Sequence, residues 1–141
     1  MKAKRHFKIF LVDGNVFSLN IYEQHLLNLG YMDVSVFQNA GDCLNQLFEQ
    51  PDMIFLDHII QPVSAVEVLK KIKRINPDIY VIFIAGMEDT DAVISSLKNG
   101  AFDFIVKGEN HFTALDSVIM KVHRVKLLLE NSMPLPVKKV I

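Results

Sequence analysis

Met53-Ile54-Phe55-Leu56 is an unbroken apolar run of strand length, and a carboxylate, Asp57, follows it at once. A strand with one wet face alternates polar and apolar residues. A strand with no polar face is covered on both sides. Pro51 stands just before the run as a break in the preceding structure. Four similar runs surround it. Phe7-Lys8-Ile9-Phe10-Leu11-Val12 and Val34-Ser35-Val36-Phe37 come earlier; Ile79-Tyr80-Val81-Ile82-Phe83-Ile84 and Phe102-Asp103-Phe104-Ile105-Val106 come later. Five such runs predict a parallel sheet sandwiched between helices.

The segments between them carry helical spacing. Val16 to Leu29 places Leu19, Tyr22, Leu26 and Leu29 on one face, and Gly30 ends it. Ala40 to Phe48 groups Cys43, Leu44, Leu47 and Phe48. Ala65 to Ile75 groups Val68, Leu69 and Ile72, with Pro77 just ahead of the next strand. Thr90 to Lys98 carries Val93, Ile94 and Leu97 before an Asn99-Gly100 stop. The last helix starts near Phe112 and runs to about Leu129. Its final turn, Leu127 to Leu129, is expected to outrun the sheet, leaving an apolar end for a dimer contact or a join to another element. Five alternating β and α units predict one α/β domain over residues 1–130 with right-handed crossovers. Residues 131–141 read as a tail or the start of a linker, with two prolines and no helical period.

Composition narrows the function. The chain has 141 residues, half of them apolar, which suits one folded domain with a full core. Lys plus Arg number 15 against 16 Asp plus Glu, so no bulk basic field draws the chain to nucleic acid. The single cysteine, Cys43, excludes an internal disulfide and a cysteine zinc cage; its place on an apolar helix stripe predicts burial. No run approaches a membrane span and no signal-peptide core follows the basic start, so the expectation is a soluble, cytoplasmic domain.

Open α/β sheets bind ligands outside the carboxyl ends of their strands. Asp13-Gly14-Asn15 follows the first strand, Asp57-His58 the third, Ala85-Gly86-Met87-Glu88 the fourth, and Lys107-Gly108 the fifth. Two carboxylates and an ammonium thus converge on one edge. Such a group suits a hard cation beside an anion, and an aspartate there can attack phosphorus to give an aspartyl phosphate.

Phe10-Leu11-Val12-Asp13, Pro51 through Asp57, and Asn99 through Lys107 together resemble the receiver domain of two-component response regulators. The resemblance runs from about Lys8 to Leu129. It implies a flavodoxin-like sheet of strand order 2-1-3-4-5. It implies Asp57 as phospho-acceptor, Lys107 as phosphoryl contact, and Mg²⁺ held by Asp13, Asp57 and the main-chain carbonyl of Ile59. Ala85 and Phe104 fall on the switch positions. A histidine kinase or phosphotransfer protein is the implied donor. The implied output is a changed surface on the fourth helix, fifth strand and fifth helix, read by an effector domain or protein.

This sequence departs from the family pattern at several points. Gly14 replaces the second acidic residue, so Mg²⁺ is expected to bind weakly unless Asn15 or water supplies an oxygen. Ala85 replaces the switch Thr or Ser, and Phe104 lacks the hydroxyl of the common Tyr. Gln61-Pro62 displaces the usual proline by one position, Ala65 replaces a customary glycine, and Gly108 replaces the proline that often forms a cis bond after the lysine. Hence there are two readings: a phosphoryl-accepting receiver of reduced efficiency, and a pseudo-receiver that binds partners without phosphorylation. Neither is an enzyme. An aspartate-nucleophile phosphohydrolase wants a second carboxylate two positions after Asp57, where Ile59 stands. A lone Gly14 is no dinucleotide cradle. His58 is expected to point away from the site. His6, His25, His111 and His123 read as solvated, and Lys70-Lys71-Lys73-Arg74 as a wet helix face.

Overall fold

Alternation along each strand decides the architecture. The computed structural model describes residues 3–132. In chain order the elements are β1 (Lys8–Val12), α1 (Val16–Asn28), β2 (Asp33–Phe37), α2 (Ala40–Asn45), β3 (Met53–Asp57), β4 (Ile59–Ile60), β5 (Val63–Ser64), α3 (Ala65–Ile75), β6 (Tyr80–Ala85), α4 (Thr90–Lys98), β7 (Asp103–Val106) and α5 (His111–Ser132). Phe10, Val12, Ile54, Leu56, Val81 and Phe83 point to one side of the sheet. There they meet Cys43 of α2, Val68, Leu69 and Ile72 of α3, and Val93 of α4. Ile9, Leu11, Met53, Phe55, Ile82 and Ile84 point to the other side, against Leu19 and Leu26 of α1 and Leu115, Ile119 and Val122 of α5. Each fully buried aliphatic or aromatic side chain contributes roughly 1.5–3 kcal/mol.

The main sheet is parallel throughout, in the order β2-β1-β3-β6-β7. Counting only its own five strands, this is the expected order 2-1-3-4-5. Every residue of β3 is buried, as its apolar run predicts. The extra strands β4 and β5 form a small antiparallel ribbon that periodicity does not reveal. Two residues per strand are too few to show a period. The cis peptide bond among the described residues is Gln61-Pro62. No helix among the described residues is long and apolar enough to cross a membrane.

Local signals set the helix ends. Asn15 caps α1 by accepting from the amides of Phe17 and Ser18, and Asn39 caps α2 through the amide of Asp42. Gly30 and Gly100 take left-handed φ values of 101° and 105° just past α1 and α4, where a side chain would be strained. The helix expected over Ala40 to Phe48 stops at Asn45. A 3-10 turn over Leu47–Glu49 then rotates Phe48 outward, 75% exposed. Ile94 and Leu97 are also exposed on α4. The last helix passes Leu129 and continues through Ser132, and Leu127, Leu128 and Leu129 lie exposed as expected. Residues 133–141 of the expected tail lie outside the described residues.

Three basic side chains are less solvated than the sequence suggests. Lys73 turns inward and donates to the carbonyls of Pro77 and Ile79 at 2.7 and 2.8 Å, holding the approach to β6. His25 of α1 meets Asp116 of α5 at 2.7 Å. His123 is buried, 2.9 Å from the Tyr31 hydroxyl and tilted against the Phe7 ring at 4.3 Å between centroids. Burial, then the nearby Lys4, pushes the His123 imidazole below its ordinary value. The unfolded chain therefore binds the proton more readily, and stability falls as pH drops through about 6.5. Thermal melts between pH 7.5 and 5.5 should show this loss, and His123→Phe should flatten the part that it contributes.

Candidate functional site

The carboxyl ends of β1, β3 and β7 bring the three expected groups together. Lys107 Nζ lies 2.8 Å from Asp57 Oδ1, and Asp57 Oδ2 accepts from the Ile59 amide at 3.0 Å. Asp13 and Asp57 are both buried, while the Lys107 side chain is 39% exposed. Asp13, Asn15, Ser18, Gln38, Asp57 and Lys107 line an open cleft of about 490 Å³, with Gly14, Ile59 and Gln61 completing it. Ser18, Gln38 and Gln61 carry no signal of a site in the sequence. They are neutral polar residues that only the fold brings to the rim.

The charges are unequal in support. Asp13 Oδ1 accepts from the Asn15 amide at 2.9 Å, but Asp13 Oδ2 is buried without a hydrogen-bond partner. Burial first, and the Asp57 charge as well, raise the Asp13 carboxyl above its ordinary value; the Asn15 amide and Lys107 oppose this. Tyr22 lies near both acids. Burial, followed by the Asp13 and Asp57 charges, pushes its phenol up to about 12, so it stays protonated.

A raised carboxylate pKa is a penalty on the fold at neutral pH, and it fades as pH falls toward the ordinary value. Asp13→Asn should therefore stabilise the metal-free chain, by about 1–2 kcal/mol, since it removes a buried charge whose Oδ2 has no donor and keeps an oxygen for the Asn15 amide. Melts in chelator-containing buffer at pH 7 check this. The difference should shrink toward pH 4.

A cation fits the donor set only in part. An orphaned carboxylate oxygen on Asp13, the Asp57 carboxylate and a nearby backbone carbonyl are oxygen ligands of the kind Mg²⁺ takes. A Cβ built on Gly14 would come 3.8 Å from the Ile59 carbonyl oxygen, so the position opens toward that ligand and offers none itself. Asn15 does not replace it. Its Oδ1 is committed to the Phe17 and Ser18 amides at 2.9 and 3.2 Å. Among the described residues no group of three or more His, Cys, Asp or Glu is placed to hold a metal, so a cation here would depend on water for the rest of its shell.

Of the expected switch positions, Ala85 is buried at the end of β6, where its carbonyl accepts from the Lys107 amide at 2.9 Å. Phe104, in β7, is 36% exposed. His58 does turn away from the cleft, but not to solvent. Its Nε2 lies 2.7 Å from Asp89 Oδ2 and its Nδ1 3.1 Å from the Ile84 carbonyl. Nothing in the sequence links these residues.

A family model for the response regulator receiver domain matches residues 9–119. The chain belongs to this family. The regulatory protein LuxO of Vibrio vulnificus (strain YJ016) is 27% identical over 88 residues, covering 62% of this chain and 19% of LuxO. The chain thus spans about a fifth of that relative's length. The signal receiver domain of a putative LuxO repressor protein from Vibrio parahaemolyticus shares the fold, with a TM-score of 0.77 at 22% identity over 90% of this chain and 98% of that one. A response regulator receiver domain protein from Clostridium thermocellum matches at a TM-score of 0.76 and 26% identity, over 86% and 98% of the two chains. This is therefore a receiver domain of the two-component response regulator type, a module of signal transduction.

Proposed function

We propose that this receiver domain accepts a phosphoryl group on Asp57 from the phosphohistidine of a kinase or phosphotransfer protein. The observation that carries the reading is the Lys107–Asp57 contact of 2.8 Å beside the unpartnered Asp13 oxygen. A carboxylate oxygen of Asp57 attacks phosphorus, the O–P bond forms, and the donor's P–N bond breaks with its electron pair returning to the imidazole. Lys107 supplies a positive charge to the incoming phosphoryl oxygens. Mg²⁺, held weakly by Asp13, Asp57 and the Ile59 carbonyl, would neutralise developing charge when bound. The Ile59 amide orients Asp57 by holding Oδ2. The domain works as a signalling module and not as an enzyme, and passes its state to an effector domain or protein through protein contacts. It makes no direct contact with nucleic acid or membrane. A homodimer through the exposed end of α5 belongs to the same reading, and sedimentation of the chain tests it.

Gly14 and Ala85 favour a second reading, a pseudo-receiver that binds partners whatever the state of Asp57. A titration with Mg²⁺ and beryllofluoride, followed by the amide shifts of Phe104 and the Ala85 segment, separates the two. Saturable shifts at both places support phosphoryl acceptance with weakened switching. A flat titration favours the pseudo-receiver.

A further inference from the structure

The segment between β6 and α4 follows Ala85, whose methyl group cannot hold it by a hydrogen bond. A different set of contacts holds it. His58, next to Asp57, donates its amide to the Ile84 carbonyl at 2.9 Å, and its Nδ1 meets the same oxygen at 3.1 Å. Its Nε2 reaches Asp89 Oδ2 at 2.7 Å, and that oxygen also accepts from the Gly86 amide at 3.1 Å. The ring side chain is only 12% exposed. Asp89 stands at the N-cap of α4 yet makes no side-chain cap bond to it. An N-cap aspartate ordinarily accepts from the second or third helical amide, here Asp91 or Ala92. Its carboxylate is instead drawn back over Gly86, where a Cβ would lie only 2.8 Å from Asp89 Oδ2.

We propose that His58 and Asp89 form a latch holding this segment where a hydroxyl at position 85 is missing, and that release hands Asp89 to α4 as its cap. The carboxylate has two sets of donors and cannot serve both, which makes it a two-position element. His58 Nδ1 is 4.0 Å from Asp57 Oδ2. A phosphoryl group on Asp57 brings further acceptor oxygens to the Nδ1 side of the ring, where they compete with the Ile84 carbonyl, and a ring drawn toward them withdraws Nε2 from Asp89. This trigger rests on the phosphoryl-acceptor reading; the latch itself does not. His58 is thus a positioning residue that couples the acceptor site to the start of α4.

Amide exchange and shifts on the ¹⁵N-labelled chain test the latch. His58→Leu removes one arm, and Gly86→Ala displaces the carboxylate from the other side. In plain buffer both should raise protection of the Asp91 and Ala92 amides about fivefold, the worth of one cap, with shifts in the same direction. Adding Asp89→Ala to His58→Leu should abolish the rise. Unchanged Asp91 and Ala92 amides in both single variants would overturn the latch, and so would a rise that survives Asp89→Ala. Mg²⁺ with beryllofluoride should move the native Asp91 and Ala92 amides toward their His58→Leu positions. Movement near Asp57 without movement at Asp91 and Ala92 overturns the coupling. No response anywhere counts against the phosphoryl reading, while the variants in plain buffer still judge the latch.

Discussion

Asp57→Asn should gain no phosphoryl group from acetyl phosphate and Mg²⁺, while the native chain gains one. Intact-mass measurement reads both. The amide keeps an oxygen to accept from the Ile59 N–H, which lies 3.0 Å from Asp57 Oδ2, so the loop beyond β3 stays supported. What it loses is the nucleophile, since an amide oxygen is a far poorer one than a carboxylate. The fold should survive because Lys107 is 39% exposed and its ammonium returns to water when its partner is gone. The substitution also takes one of two like charges out of a buried site, relieving part of the penalty on Asp13. Asp13 cannot stand in as acceptor: the lysine contact belongs to Asp57. A native chain that never gains mass, or an Asp57→Asn variant that gains as much, would sink the assignment of this residue.

Gly14→Asp should lower the Mg²⁺ dissociation constant by on the order of tenfold to a hundredfold. The added Cβ meets nothing nearer than the Ile59 carbonyl oxygen at 3.8 Å, and Gly14 has no left-handed φ to forbid a side chain. The new carboxylate would face the same opening as the orphaned oxygen of Asp13. Two opposite effects follow from one charge. Without metal, a third acid in the cleft repels Asp13 and Asp57, and the melting temperature falls. With saturating Mg²⁺ the variant gains more stability than the native chain does, because tighter binding shifts the folding equilibrium further. Calorimetric titration and paired melts with and without metal check both signs. An unchanged affinity would mean that the cation does not bind between Asp13 and Ile59.

Much of this was legible because period carries physical meaning. Met53-Ile54-Phe55-Leu56 has no polar face, and all of it is buried in the centre of the sheet. Strand ends that are invisible to periodicity still place Asp13, Asp57 and Lys107 together, because parallel strands all end on one edge. Side-chain partners from distant elements were the illegible part. Alternation keeps His58 out of the cleft lining, but it cannot say that Asp89 waits on the other side or that the ring still passes 4.0 Å from Asp57. His123 and His25 look solvated in a linear reading, and only the packing of α5 on β1 and α1 gives them Tyr31 and Asp116. Asn15 looks free to lend an oxygen to a cation, but the start of α1 claims it. Phe48 keeps its helical spacing on paper, but the helix ends before it.

The sheet also acts as a partition. The side chains packed with α2, α3 and α4 form one cluster and those packed with α1 and α5 another, with no residue common to both. Distant, unshared lesions add in free energy and do not compensate. A substitution that loosens the α1–α5 half therefore cannot be repaired from the opposite half, and each face of this small chain has to keep its own interior in order.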